Sequence, residues 1–146
     1  VCVGAANTSK SFRGDPLIKN YFRQIYGPEL SNDLQTAKNM SPLHLMKHFK
    51  SRAKKLLLVH GENDPRVAKE EAHTLAATAR ELGIPCIHVG YGEEGHSIRK
   101  EPNAIHMWHT VEKFVCECVK LPEPPAVDPK LVEGCTATLY WDSSSV

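Results

Sequence analysis

The stretch from Lys54 to Val67, KKLLLVHGENDPRV, limits most strongly what this chain can fold into. After two lysines come Leu56, Leu57, Leu58 and Val59, four apolar residues with no polar alternation. That pattern belongs to a strand buried on both faces, as in a parallel sheet. His60 and Gly61 end the apolar run, and Glu62, Asn63, Asp64 and Pro65 form a turn toward a helix. A parallel neighbour needs a long crossover, and the sequence supplies one. Ala68, Ala72, Leu75, Ala76, Ala79 and Leu82 make an apolar stripe, predicting a helix over 68–82 that packs closely on a sheet. Gly83 and Pro85 stop it. Ile84 to Tyr91 then reads as a second strand through Cys86, Ile87, Val89 and Tyr91. Residues 55–91 are thus one right-handed strand–helix–strand unit, and the fold class is α/β.

The flanks fit around this unit. Val1 to Ala6 is a small apolar segment that reads as a strand already under way, so the chain is expected to be a fragment or a cleaved product. Pro16 suits the start of a helix through Leu17, Ile18, Tyr21, Phe22 and Ile25, stopped by Gly27 and Pro28. Ser31 to Asn39 predicts a short helix, and Ser41-Pro42 opens another with Leu43, Leu45, Met46 and Phe49 as its apolar set. A last helix over 103–119 is expected to bury Ile105, Trp108, Val111, Val115, Cys118 and Val119. From Leu121 the character changes to a proline-rich, extended segment, with a short strand expected at Thr136 to Trp141. The expected organisation is a domain over 1–120 and an extension over 121–146.

Charge and composition narrow the function. With 18 basic and 17 acidic residues, the net charge of +1 argues against a nucleic-acid surface. No apolar run approaches the roughly 20 residues of a membrane span. The five cysteines are irregularly spaced and read as reduced, buried thiols, which favours a reducing, cytoplasmic compartment. Among the eight histidines, His44 and His48, and His106 and His109, fall at helical spacing. Neither pair has a third ligand at a useful distance along the chain, so both read as helix-surface residues and no metal or organic cofactor is expected.

Two loops carry the chemistry. One follows the first central strand and offers Asp64; the other follows its parallel neighbour and offers His96 among glycines. Ligands gather at the carboxyl ends of parallel strands, so both loops belong to the same edge. A carboxylate there can fix an imidazole tautomer while the other ring nitrogen takes a proton from a hydroxyl. The order acid then histidine, 32 residues apart across a helix and a strand, matches the later part of an α/β-hydrolase triad. The plainer alternatives are a turn-forming aspartate and a loop histidine without a role.

HGENDPRV at 60–67, followed by GEEGHSIRKEPN at 92–103, resembles the C-terminal part of the prolyl oligopeptidase family of serine peptidases; Ser41-Pro42-Leu43 resembles that family's lead-in. The resemblance covers roughly residues 1–119. It implies the C-terminal portion of an α/β-hydrolase, a three-stranded, mainly parallel sheet with flanking helices. It further implies Asp64 as triad acid, His96 as triad histidine and Arg66 as a contact to a substrate carbonyl, Arg66 being otherwise a salt-bridged loop residue. The implied substrate is a peptide or small ester. The departure is the nucleophile: no glycine-flanked G-x-S-x-G serine occurs in this sequence. The expected partner is therefore the remaining N-terminal part of the hydrolase domain, and the chain alone is expected to be inactive. Self-association through an exposed sheet edge is a further expectation. The alternative is a noncatalytic binding module, truncated or a pseudoenzyme.

Overall fold

The computed structural model describes residues 34–39, 41–49 and 55–143, with isolated helical positions between residues 16 and 27. The strand expected at Val1 to Ala6 lies outside the described residues. Two short helices, α1 (Leu34–Asn39) and α2 (Pro42–Phe49), lead to β1 (Leu56–Gly61), α3 (Lys69–Glu81), β2 (Cys86–Tyr91), α4 (Glu101–Val119), a 3-10 turn (Pro129–Val132) and β3 (Ala137–Asp142).

The sheet order is β1-β2-β3. β1 and β2 are parallel and in continuous register from Leu56 opposite Cys86 to Gly61 opposite Tyr91. β1 thus runs two residues past its apolar core, because the backbones of His60 and Gly61 still have partners to pair with. β3, from the stretch after Leu121, lies antiparallel on the far side of β2, which makes the sheet mixed. Among the described residues β1 pairs on one side only.

Side-chain alternation splits the core in two, one layer on each face. On the α3 face, Leu58 and Cys86 pack with Leu75, Ala76, Ala79, Ile84 and Met46. On the α4 face, Leu57, Val59, Val89 and Tyr91 pack with Phe114. Burying a side chain such as Leu57 stabilises the fold by about 1.5–3 kcal/mol. The small residues of α3 bring its backbone close to the sheet, as their stripe predicts. Its first turn carries Glu70 and Glu71 and its last turn Arg80, both favourable to the helix dipole. Gly83 follows in the left-handed region at φ 67°.

The last helix departs from expectation. α4 buries Asn103 and Phe114, with Met107 and Val111 half-buried against the same core. Trp108 is 65 % exposed, and Val115 and Val119 are exposed as well. The stripe that faces the sheet is 103, 107, 111 and 114, a rotation from the one that hydrophobicity alone selects. A buried asparagine anchors it. His106, expected at the surface, is half-buried and its Nδ1 lies 2.9 Å from the Tyr91 hydroxyl. The four described cysteines are free thiols; Cys86 is buried while Cys118 is exposed.

These burial differences set a test of the helix orientation. Phe114→Ala is expected to cost about 3–5 kcal/mol in urea denaturation. Trp108→Ala should change stability by no more than about 0.5 kcal/mol.

Candidate functional site

The β1–β2 register brings two loops to one edge of the sheet. The acid loop is short because Asp64 folds it on itself: Asp64 Oδ1 accepts from the backbone N–H of Arg66 at 2.8 Å and of Val67 at 3.0 Å. This Asx-type turn is the structural role open to any aspartate here. It uses one carboxylate oxygen and leaves the other. Oδ2 lies 2.9 Å from His96 Nδ1. Asp64 is thus both turn former and histidine partner. Burial alone would raise its pKa, but the two backbone N–H donors and His96 outweigh that and hold the carboxyl below its usual range.

The histidine loop is held from the other side. Glu94 is 3 % exposed, and its carboxylate accepts from the backbone N–H of Arg99 at 3.0 Å and of Lys100 at 2.9 Å, just ahead of α4. Asn103 Nδ2 donates to it at 2.8 Å. The other Asn103 atom, Oδ1, accepts from the backbone N–H of Thr136 at 2.8 Å. One buried amide thereby ties the histidine loop, the start of α4 and the approach to β3 together. Burial pushes the Glu94 pKa up, and the donors around it more than reverse this.

The loops also touch directly. Asn63 N–H donates to Glu94 O at 2.9 Å. A Cβ at Gly61 would sit 2.6 Å from that same carbonyl oxygen and collide with Gly95 O, both backbone atoms. Only glycine lets the loops approach this closely.

His96 keeps 40 % of its side chain exposed, while Asp64 keeps 10 %. The pair therefore has a sheltered acid and an accessible ring. Arg66 is exposed on the same loop, and its guanidinium forms no ion pair with a described residue. A cavity of about 700 Å³ lies elsewhere, on the α4 face among Ile87, Val89, His106, Phe114 and Leu139.

A second polar cluster escaped the sequence reading. His60 on β1, His88 on β2, His73 on α3 and Tyr140 on β3 pack ring against ring, with centroids 4.8–6.2 Å apart. The Tyr140 hydroxyl donates to Glu62 Oε1 at 2.7 Å. Tyr140 gets there through a bulge: Trp141 opposes His88 and Leu139 opposes Val89, leaving Tyr140 without an opposite number. Gly90 makes room, since a Cβ there would come 2.7 Å from the Tyr140 ring. Burial lowers the His88 pKa to about 4. The only sequence signal was the shared parity of 60 and 88 on adjacent strands.

The model of the Prolyl oligopeptidase family matches residues 10–122. A relative described as dipeptidyl peptidase family member 6, from Caenorhabditis elegans, is 29 % identical over 98 residues. That match takes in 66 % of this chain and 13 % of the relative, so the chain spans a small part of the relative's length.

The Glu94 fastening predicts an acid-limb effect. A carboxyl whose folded pKa is depressed adds stability above its unfolded value, near 4.5, and loses it as pH falls through the folded value. Glu94→Gln should therefore flatten the fall in stability between about pH 5 and 3. Glu94→Ala, which strands three donors, should cost about 2–3 kcal/mol at neutral pH by urea denaturation.

Proposed function

Because the chain belongs to the prolyl oligopeptidase family, we propose that it supplies the acid and the histidine of a Ser-Asp-His triad for peptide or ester hydrolysis. The observation that carries this reading is the 2.9 Å contact of Asp64 Oδ2 with His96 Nδ1, on two loops that are each held by their own hydrogen bonds and joined by the Asn63–Glu94 backbone bond. A carboxylate on Nδ1 favours the tautomer with its proton there, leaving Nε2 as the base.

The serine comes from a segment outside this chain, which holds no glycine-flanked serine of its own. Its hydroxyl proton passes to His96 Nε2 as its oxygen bonds to the carbonyl carbon. Asp64 stabilises the imidazolium formed. That proton then goes to the departing amine or alcohol as the scissile bond breaks, leaving an acyl-serine. Water repeats the sequence and releases the acid. Arg66, exposed beside Asp64, is suited to a carbonyl of the bound substrate. By itself the chain has a base with nothing to activate, and is inactive.

The second reading is a noncatalytic module, favoured by the missing nucleophile motif. A fluorophosphonate probe separates the two. On the peptidase reading it labels the longer polypeptide that joins this chain to a nucleophile segment, and leaves the 146-residue chain unlabelled. In that longer polypeptide Asp64→Asn should lower kcat by about 10⁴-fold with the fold intact. Labelling that survives His96→Ala would remove His96 from the role.

A further inference from the structure

We propose that His60, Glu62 and His73 form a binding site for a divalent transition-metal ion, with zinc the ion best matched to two imidazoles and a carboxylate. The site is separate from the Asp64 and His96 pair and does not depend on the peptidase reading.

One ligand atom from each of the three residues can be chosen so that all lie within 4.8 Å of one another. Tetrahedral zinc, with bonds of about 2.0–2.2 Å, sets its ligand atoms about 3.3 Å apart. His60 Nε2 and Glu62 Oε1 already stand 3.0 Å apart. His73, half-buried on α3, already packs its ring against those of His60 and His88.

The second observation is His60 Nε2 itself, a buried ring nitrogen with no hydrogen-bond partner among the described residues. Glu62 Oε1 is near it but out of line for a hydrogen bond. The other ring nitrogen, Nδ1, contacts His88 Nε2 at 3.3 Å. Two neutral tautomers are open to His60. With its proton on Nδ1, donated to His88, the Nε2 lone pair faces a carboxylate oxygen, and two acceptors repel. With its proton on Nε2, that N–H is buried without an acceptor in line. Either state leaves a buried polar atom unsatisfied, which costs about 1–3 kcal/mol. A cation between Nε2 and Oε1 removes the problem in the first state, and His88 then becomes the acceptor that orients a metal-bound imidazole.

The surroundings suit an ion. Lys69 Nζ lies 3.2 Å from Glu62 Oε2, so the carboxylate is oriented with Oε1 inward. Tyr140 donates to Oε1 and walls the site, and its ring together with that of His88 keeps the set compact. His60 and Glu62 side chains are 11 % and 13 % exposed, so an ion can enter and a fourth ligand, water, can complete the coordination. Sequence spacing conceals the set: a strand end, the loop after it and the second turn of α3 are adjacent only in the folded chain.

The test uses the full chain, stripped with EDTA and titrated with ZnCl₂ by calorimetry. The expected result is one ion per chain. Co²⁺ in its place should give the intense visible bands of four-coordinate cobalt without sulfur charge-transfer absorption, excluding the cysteines as ligands. In long-range ¹H–¹⁵N spectra, zinc should shift the ring nitrogens of His60 and His73 and leave those of His44, His48 and His109 in place. Glu62→Gln and His73→Ala should each weaken binding at least about 10-fold. No stoichiometric binding, shifts confined to other histidines, or sulfur-to-cobalt absorption would overturn the proposal. The ring-nitrogen spectra need no variant, so a misfolded mutant does not blunt the test.

Discussion

Gly61 meets Tyr91 across the sheet, and at that point the acid loop lies against the backbone of the histidine loop with no room for a methyl group. Parallel register is what forces the encounter. Six consecutive pairs from Leu56 to Gly61 put the ends of β1 and β2 level, so whatever follows them shares one rim. A slip of one residue would turn every side chain of β1 to the opposite face. The apolar core on both faces forbids that slip, since Leu57 and Leu58 are both buried, each in its own layer. The core thus positions the site at a distance.

Two carboxylates at this rim meet the cost of burial in different ways. Glu94 spends its oxygens on backbone N–H groups and an asparagine amide, and so becomes part of the frame. Asp64 satisfies one oxygen within its own turn and offers the other to a histidine. Buried charge is tolerated only where such partners exist. His60 is the exception among these residues, its Nε2 lacking the partners that the two carboxylates have. The contrast separates residues that complete the architecture from one whose environment is incomplete.

Much of this was legible in the sequence because local signals agreed. The apolar run of β1, the alanine stripe of α3 and the Gly83 stop all pointed to the same unit, and the order Asp64 then His96 followed from it. What was not legible depended on partners far along the chain. Trp108 is large and apolar, yet the rotation of α4 is set by Asn103, whose amide bonds Glu94 and Thr136. Hydropathy cannot rank a buried asparagine above an exposed tryptophan. Tyr140 reaches the histidine cluster through a bulge, and no spacing rule reveals which residue of a strand will be the extra one. His60, Glu62 and His73 likewise come from three elements.

The fastening of the histidine loop by Asn103 and Thr136 has a consequence for any encounter at this rim. The bonds that align the acid and the imidazole, through α4, the approach to β3 and both loops, all lie within this chain. Any segment that docked there would meet loops already joined to one another, so the freedom lost on association would fall mainly on the incoming part. A pre-aligned rim of this kind would trade adaptability toward partners for a smaller ordering cost on binding.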